Sequence, residues 1–207
     1  MPKHKFTAQH KGILAAMAGA VAVAIGVGLV ASAGATEPRN SKAPVRKVVV
    51  KTTFSPVSEA ATAQAVTYNT ALVPEDARVQ VKEELRRDGG TRIELRLRDL
   101  MADRAYGAHV HTKPCGALPT DAGPHYQDQQ DPTKPSVDPA FANPDNEVWL
   151  DLATNKDGSD RSIATVDWRF REGGARSVVL HEMATATHEG HAGTAGARLA
   201  CVNVAFE

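Results

Sequence analysis

Hydrophobic and polar residues alternate along most of the chain after about residue 64, and this period of two predicts β-strands. The clearest case is residues 91–98, where Ile93, Leu95 and Leu97 alternate with charged residues, as in a strand with one buried face. The same criteria predict strands over residues 64–70, 77–84, 106–111, 147–152, 161–170, 177–181 and 199–206. A turn signal around Asp88-Gly-Gly favours a hairpin between two of them.

Two segments have no hydrophobic period and are predicted to be long functional loops. Residues 112–146 contain seven prolines, and residues 182–197 are rich in Gly, Ala and Thr. Eight short strands joined by turns and two long loops indicate an all-β domain, an antiparallel sandwich or a flattened barrel.

The first 35 residues have the pattern of a targeting segment. A start containing Lys3, Lys5 and Lys11 precedes an apolar run over residues 12–30, which ends in small residues typical of a cleavage site. We expect cleavage there, and an uncleaved membrane anchor is the alternative. Residues 36–63, with three prolines and mixed charges, are predicted to be a linker or tether, and residues 64–207 to be one exported domain, secreted or held in the cell envelope.

The charge balance limits the classes of partner. Without the three lysines of residues 1–35, 21 of the 24 basic residues remain against 24 acidic ones, a net charge of −3. A mildly acidic protein is a poor ligand for nucleic acid or for an anionic membrane. We therefore expect no nucleic-acid partner, and membrane contact only through a retained N-terminal segment; the sequence does not fix the oligomeric state.

Candidate metal ligands are concentrated around Gly107-Ala-His-Val-His111. In a strand, His109 and His111 point to one face, close enough to bind one metal ion. A cysteine at position 115 and a histidine at 125 follow, and another histidine ends the strand at 181. Cys115 and Cys201 are the only cysteines, and in an exported chain they favour one disulfide over two free thiols or a two-cysteine metal site.

These residues occur in the order of a known family. The motifs are Gly107-Ala-His-Val-His111, Cys115, Gly123-Pro-His125-Tyr, Arg176-Ser-Val-Val-Leu-His181 and Gly196-Ala-Arg-Leu-Ala-Cys201. With them, the chain resembles the copper/zinc superoxide dismutases over about residues 64–206.

The resemblance implies an eight-stranded Greek-key barrel that binds copper and converts superoxide to O₂ and H₂O₂. It implies that the copper ligands are His109, His111, His125 and His181. It further implies that Arg198 guides the anionic substrate, that His125 also carries a proton, and that Cys115 and Cys201 form the disulfide. A copper-binding or buffering module with little turnover is the alternative function, and a structural domain that binds no metal is a third.

The sequence departs from the family at the second metal. The zinc site of the family needs two more histidines and an aspartate after the third copper ligand, and no histidine lies between His125 and His181. We therefore do not expect zinc, and the pattern resembles the copper-only branch. His188 and His191 could recruit a metal or stay solvated, and the sequence does not decide. The outward nitrogen of His125 is expected to face water or a carboxylate; Asp128 and Glu182 are the candidate carboxylates, and the sequence does not choose between them.

Overall fold

The computed structural model describes residues 46–207, which form a β-sandwich of two sheets. The four-stranded sheet has the order β1-β4-β5-β8, and the six-stranded sheet has the order β2-β3-β10-β9-β6-β7. The strands are β1 (Lys47–Thr53), β2 (Ser55–Pro56), β3 (Ala65–Thr67), β4 (Arg78–Leu85), β5 (Thr91–Arg98), β6 (Ala105–His111), β7 (Leu152–Ala153), β8 (Asp160–Val166), β9 (Ser177–His181) and β10 (Arg198–Asn203). Two short 3₁₀ helices span Val57–Glu59 and Pro119–Ala122.

The four-stranded sheet has one buried and one solvent-facing side, as the alternation in residues 91–98 predicted. Ile93, Leu95 and Leu97 of β5 are fully buried against the other sheet. The matching positions of β4 include Val79 and Val81, and also Glu83, which is only 1% exposed. One of its carboxylate oxygens accepts a hydrogen bond from the Glu207 N–H, and the other has no partner. Burial raises the pKa of Glu83 to about 7.

The centre of the six-stranded sheet is buried on both faces. Ala108 and Val110 of β6 point into the core between the sheets, so His109 and His111 point to the opposite face, beneath the two long loops. Strand β9 lies beside β6, and β10 lies on the other side of β9; together they contribute Val178, Leu180 and other core residues. This sheet therefore carries the candidate metal ligands on its loop-covered side.

The predicted fold class is confirmed, with differences in detail. Residues 46–207 form an open sandwich and no closed barrel, with ten strands instead of eight. The two additional strands are β1, of seven residues, and β2, of two residues, which pairs with β3 in parallel. Most of the strand predicted at 147–152 is irregular: it follows β6 with a bridge between His109 and Trp149 and single backbone bonds on either side. Its polar side chains Glu147 and Asp151 form hydrogen bonds with residues of the two long loops.

The linker predicted over residues 36–63 is wrong where the structure describes it. Lys47–Thr53 pairs with β4 along its whole length, and Val48 and Val50 pack against the core. Phe54, which follows, is 1% exposed. The alternation of valine with lysine and threonine in this segment is a strand pattern, which the neighbouring prolines obscured. Residues 36–45 and the predicted targeting segment lie outside the described residues.

The predicted disulfide is confirmed. Cys115 and Cys201 are bonded, with their Cα atoms 5.7 Å apart, and Cys201 lies in β10. The bond therefore joins the first long loop to the centre of the six-stranded sheet. Within residues 46–207, no helix is long and apolar enough to cross a lipid bilayer.

Candidate metal centre

Four histidines from separate segments converge on the loop-covered face of the six-stranded sheet. His109 and His111 come from β6, and His181 ends the neighbouring strand β9, paired with Gly107. His125 comes from the first loop and forms a backbone bridge with His111. One ring nitrogen from each histidine lies within 4.8 Å of those of the other three. The structure thus brings together the four predicted ligands.

A chain of hydrogen bonds fixes the tautomer of His109. Thr185 donates its hydroxyl proton to Asp151 Oδ1 at 2.7 Å, so it can only accept from His109 Nε2, also 2.7 Å away. The proton of the neutral ring therefore lies on Nε2. Nδ1 of His109 is fully buried and has no hydrogen-bond partner in the part of the chain that the structure describes. Its lone pair faces the other three histidines and is available to a metal ion.

Two further histidines are oriented in the same way. His111 Nδ1 donates to the Gly123 carbonyl at 2.9 Å, and His125 Nδ1 donates to Glu147 Oε2 at 2.8 Å. Both acceptors lie outside the cluster, so the Nε2 lone pairs are left for the interior. His181 Nε2 lies 3.3 Å from His111 Nε2. Outer partners of this kind hold metal-binding imidazoles in place and raise their basicity.

Burial disfavours protonation of three of the four candidate ligands. It lowers the pKa of His109 and His111 well below the usual histidine value and that of His181 to about 3, with a further lowering from the charge that His125 carries when protonated. Because a metal ion binds the unprotonated nitrogen, these shifts keep the site able to bind metal in mildly acidic solution.

The donor set fits a transition-metal ion. Metal–imidazole bonds are about 2 Å long, so ligands on opposite sides of an ion lie about 4 Å apart. The observed limit of 4.8 Å needs only a small contraction of the cluster. Four imidazoles suit copper, zinc and nickel, and among divalent ions copper binds nitrogen sites most tightly.

The cluster opens to solvent through a cavity of about 700 Å³, lined by His125, His181, Lys134 and Arg198 among others. Arg198 is partly buried at the start of β10 and donates to the carbonyls of Pro119 and Gly123. The Gly123 carbonyl also accepts from His111, so one peptide group orients both the arginine and a metal ligand. A positive side chain is thus fixed at the entrance of the site.

Sequence comparison identifies the family of this chain. The family model for copper/zinc superoxide dismutase matches residues 76–204, more than half of the chain. The chain belongs to the copper/zinc superoxide dismutase family. The match includes all four histidines, Arg198 and both cysteines. No curated protein gives a significant match to the sequence.

The chain is similar to solved structures at low sequence identity. The clock protein EA4 is 21% identical with a TM-score of 0.50, over 79% of this chain and 96% of that one. Two mutants of a SOD-like protein from Bacillus subtilis are each 18% identical, with TM-scores of 0.47 and 0.48, over 62% of this chain and 89% and 90% of theirs. At this level of identity, the likeness concerns the fold alone.

The carboxylate that orients His125 is Glu147, and the prediction of Asp128 or Glu182 is wrong. Glu147 is 1% exposed and also accepts from Trp149 Nε1 and Gln127 Nε2. A signal for it exists in the sequence. Successive side chains of a strand point to opposite faces. In the run Glu147-Val-Trp-Leu-Asp-Leu, this alternation places Glu147, Trp149 and Asp151 on the side opposite Val148, Leu150 and Leu152. Within this superoxide dismutase domain, that polar side contacts both His125 and, through Thr185, His109.

The histidine pair of the second loop lies apart from the cluster. His188 and His191 are exposed in the second loop, with ring centroids 4.9 Å apart. They are not part of the four-histidine group. The loop that carries them also contributes Gly193 and Thr194 to the wall of the entrance cavity.

Proposed function

We propose that this chain is an exported copper-dependent superoxide dismutase. The observation that carries the proposal is the convergence of four imidazoles, three with their outer nitrogens hydrogen-bonded and their lone pairs directed inward, at the base of an open cavity. Membership of the copper/zinc superoxide dismutase family supports the reaction class. Copper is supported by the all-nitrogen donor set, and no role is assigned to zinc.

When bound, copper supplies one-electron redox chemistry: one superoxide is oxidised to O₂, and a second is reduced and leaves as H₂O₂ after taking up two protons. The protein residues have three tasks. His109, His111 and His181 hold the ion through nitrogens whose protonation burial disfavours. The other two tasks, attraction of the anion and proton transfer, fall to Arg198 and His125.

Arg198 attracts and orients superoxide at the entrance. Its guanidinium is held by two backbone carbonyls, so the positive charge stays in one place. Lys134 adds a second positive charge to the lining of the cavity. Because the chain beyond residue 35 has a net charge of −3, attraction of the substrate must come from this local field.

His125 is the residue proposed to carry a proton. Glu147 accepts a hydrogen bond from His125 Nδ1–H, which keeps the first proton of the ring on Nδ1. A second proton, taken from solvent, is therefore held at Nε2. Partial exposure of the ring in the cavity gives that proton a route from water. Nε2 also faces the other three histidines, so the same atom can bind metal and carry a proton.

Export is proposed from two features. A disulfide persists in oxidising compartments, and the N-terminal sequence has the pattern of a signal peptide or anchor. Superoxide is then the small anionic partner. Nucleic acid has no proposed role, and membrane contact is limited to a retained N-terminal segment.

Copper content and superoxide consumption, measured on the same preparation, test the proposal. The full chain is purified without metal, loaded with copper, and assayed beside the unloaded chain. We expect one copper ion per chain and dismutation that appears only after loading. Uptake of copper without turnover would reject the enzyme and favour the copper-binding module. No uptake would reject both and leave a structural domain.

A further inference from the structure

A cationic groove crosses the outer face of the four-stranded sheet, away from the histidines. It has a volume of about 420 Å³ and is lined by residues of β1, β4 and β5. Four of its eight lining residues are cations and none is acidic. We call this the basic groove and define it by Lys51, Arg78, Gln80, Arg96 and Arg98.

Strand register places like charges beside one another in this region. Arg78 lies opposite Arg98, and Arg96 lies opposite Arg161 of β8. Like charges at opposite positions of an antiparallel pair destabilise a sheet. Lys51, Gln80, Arg96 and Arg161 form one row across four strands, about 14 Å long at the usual strand spacing. An anion bound along this row would relieve the repulsion.

Only part of this charge is neutralised within the protein. Arg78 pairs with Asp99 at 2.7 Å, and Arg96 pairs with Glu94. Lys51 and Arg98 form no ion pair with any residue in the range 46–207. Two further acidic residues, Asp157 and Asp160, lie outside the groove in a neighbouring depression on the β8 side. Two cations of the groove are therefore available to an external anion.

The groove is more positive than the domain around it. Residues 1–45 contain five of the 24 basic residues and one of the 24 acidic ones, so residues 46–207 have 19 against 23, a net charge of −4. The four cations of the groove are therefore a local concentration of positive charge in a domain whose net charge is negative. It is a feature that solubility does not require, and it fits a ligand that repeats negative charges along a chain.

We propose that the basic groove binds an acidic polysaccharide. Three of its four cations are arginines, whose planar groups form paired hydrogen bonds with sulfate or carboxylate. The Gln80 amide can donate to and accept from hydroxyl groups between the charges. The groove continues into the row that ends at Arg161, so a polymer can run along it while a single small anion would use only part of it.

Other polyanions fit less well. No aromatic side chain lines the groove, so nucleotide bases would have no stacking surface. The exposed aliphatic residues of this sheet, Val49 and Ile163, lie on its two edge strands outside the groove and give no central apolar anchor for a bilayer. These differences favour a polysaccharide over a nucleic acid or a lipid surface.

The test measures binding of the full chain to dextran sulfate, with neutral dextran of the same length as the reference. We expect binding to dextran sulfate alone and a steep loss of affinity as salt is raised. The test variant combines Lys51→Gln and Arg98→Gln, which remove the two cations without ion pairs and leave no acidic residue unpaired. We expect its affinity to fall about tenfold, which lies within the range for two exposed contacts.

A matched control distinguishes the effect of the groove residues from the effect of the change in net charge. Arg87→Gln combined with Lys156→Gln removes the same charge from two exposed turns outside the groove. We expect the control to bind as the wild type does, and both double variants to keep the copper content and the superoxide activity of the wild type. Equal losses in the two variants, no binding at low salt, or preference for anionic phospholipid vesicles over dextran sulfate would each overturn the proposal.

Discussion

Replacement of Glu147 by glutamine should weaken metal binding without unfolding the domain. Glu147 Oε2 accepts from His125 Nδ1 at 2.8 Å and from Trp149 Nε1 at 2.7 Å, and Oε1 accepts from Gln127 Nε2 at 2.9 Å. Glutamine fills the same volume but has one acceptor oxygen and no charge. If that oxygen stays on His125, the new amide N–H group faces the amide N–H of Gln127.

The expected magnitude follows from the loss of a charge-assisted bond behind a metal ligand. The carboxylate makes His125 Nε2 more basic and holds the ring in position, and the neutral amide does both less well. Loss of such a partner typically lowers metal affinity 10- to 100-fold, or about 1.4–2.7 kcal/mol. Glu147→Gln should therefore bind copper about 10- to 100-fold more weakly.

A competition titration of the copper-loaded chain against a chromophoric chelator measures this affinity. Circular dichroism of the metal-free variant shows whether the fold is intact. Asp128→Asn is the matched control, because it removes the same charge from the first long loop at a residue that is not hydrogen-bonded to His125. An affinity of Glu147→Gln within twofold of the wild type, or an equal fall in the control, would refute the role of Glu147.

Three further predictions concern the entrance, the core and the disulfide. Arg198→Gln should lower the dismutation rate and flatten its dependence on ionic strength, whereas Arg176→Gln, an exposed arginine that does not line the entrance cavity, should change neither; stopped-flow assays across a salt series measure both. Because the pKa of Glu83 is raised from 4.5 to about 7, the folded state binds more protons between these values, so its stability falls as pH rises through this window. Glu83→Gln should remove this loss, about 3 kcal/mol, in urea unfolding at several pH values, and an unchanged pH profile would contradict it. Reduction of Cys115–Cys201, which closes a separation of 86 residues, should lower the free energy of unfolding by about 4–5 kcal/mol in the chain-entropy model; a loss below 1 kcal/mol would oppose it.

The parts of the fold that depend on local pattern could be predicted from the sequence. Alternation in residues 91–98 sets which side of β5 faces the core, and the spacing of His109 and His111 sets their common direction. The local pattern does not indicate which other histidines join the cluster, because His125 and His181 reach it through pairings between segments that are distant in the sequence. Their order along the chain, compared with a known family, supplied what the local pattern could not.

Other features depend on contacts that the pattern does not encode. Strand β1 was missed because its flanking prolines indicated a linker, although its full-length pairing with β4 outweighs them. The alternation in β4 places Glu83 at a buried position. The N–H group that donates a hydrogen bond to its carboxylate belongs to Glu207, 124 residues away, and the local pattern does not indicate this contact. Glu147 lies on the polar side of a strand-like run, and the alternation that predicts this run does not indicate which of its polar side chains contacts a histidine.

The most direct test of the metal centre is electron paramagnetic resonance of the copper-loaded chain, together with copper content, in the wild type and in His109→Ala. His109 Nδ1 has no hydrogen-bond partner within residues 46–207 and is completely buried, so its removal should leave the ion one ligand short. We predict nitrogen-dominated coordination with one copper per chain in the wild type, and an altered spectrum with reduced occupancy in the variant. Oxygen-dominated coordination in the wild type, or full occupancy with an unchanged spectrum in His109→Ala, would contradict a four-imidazole copper site.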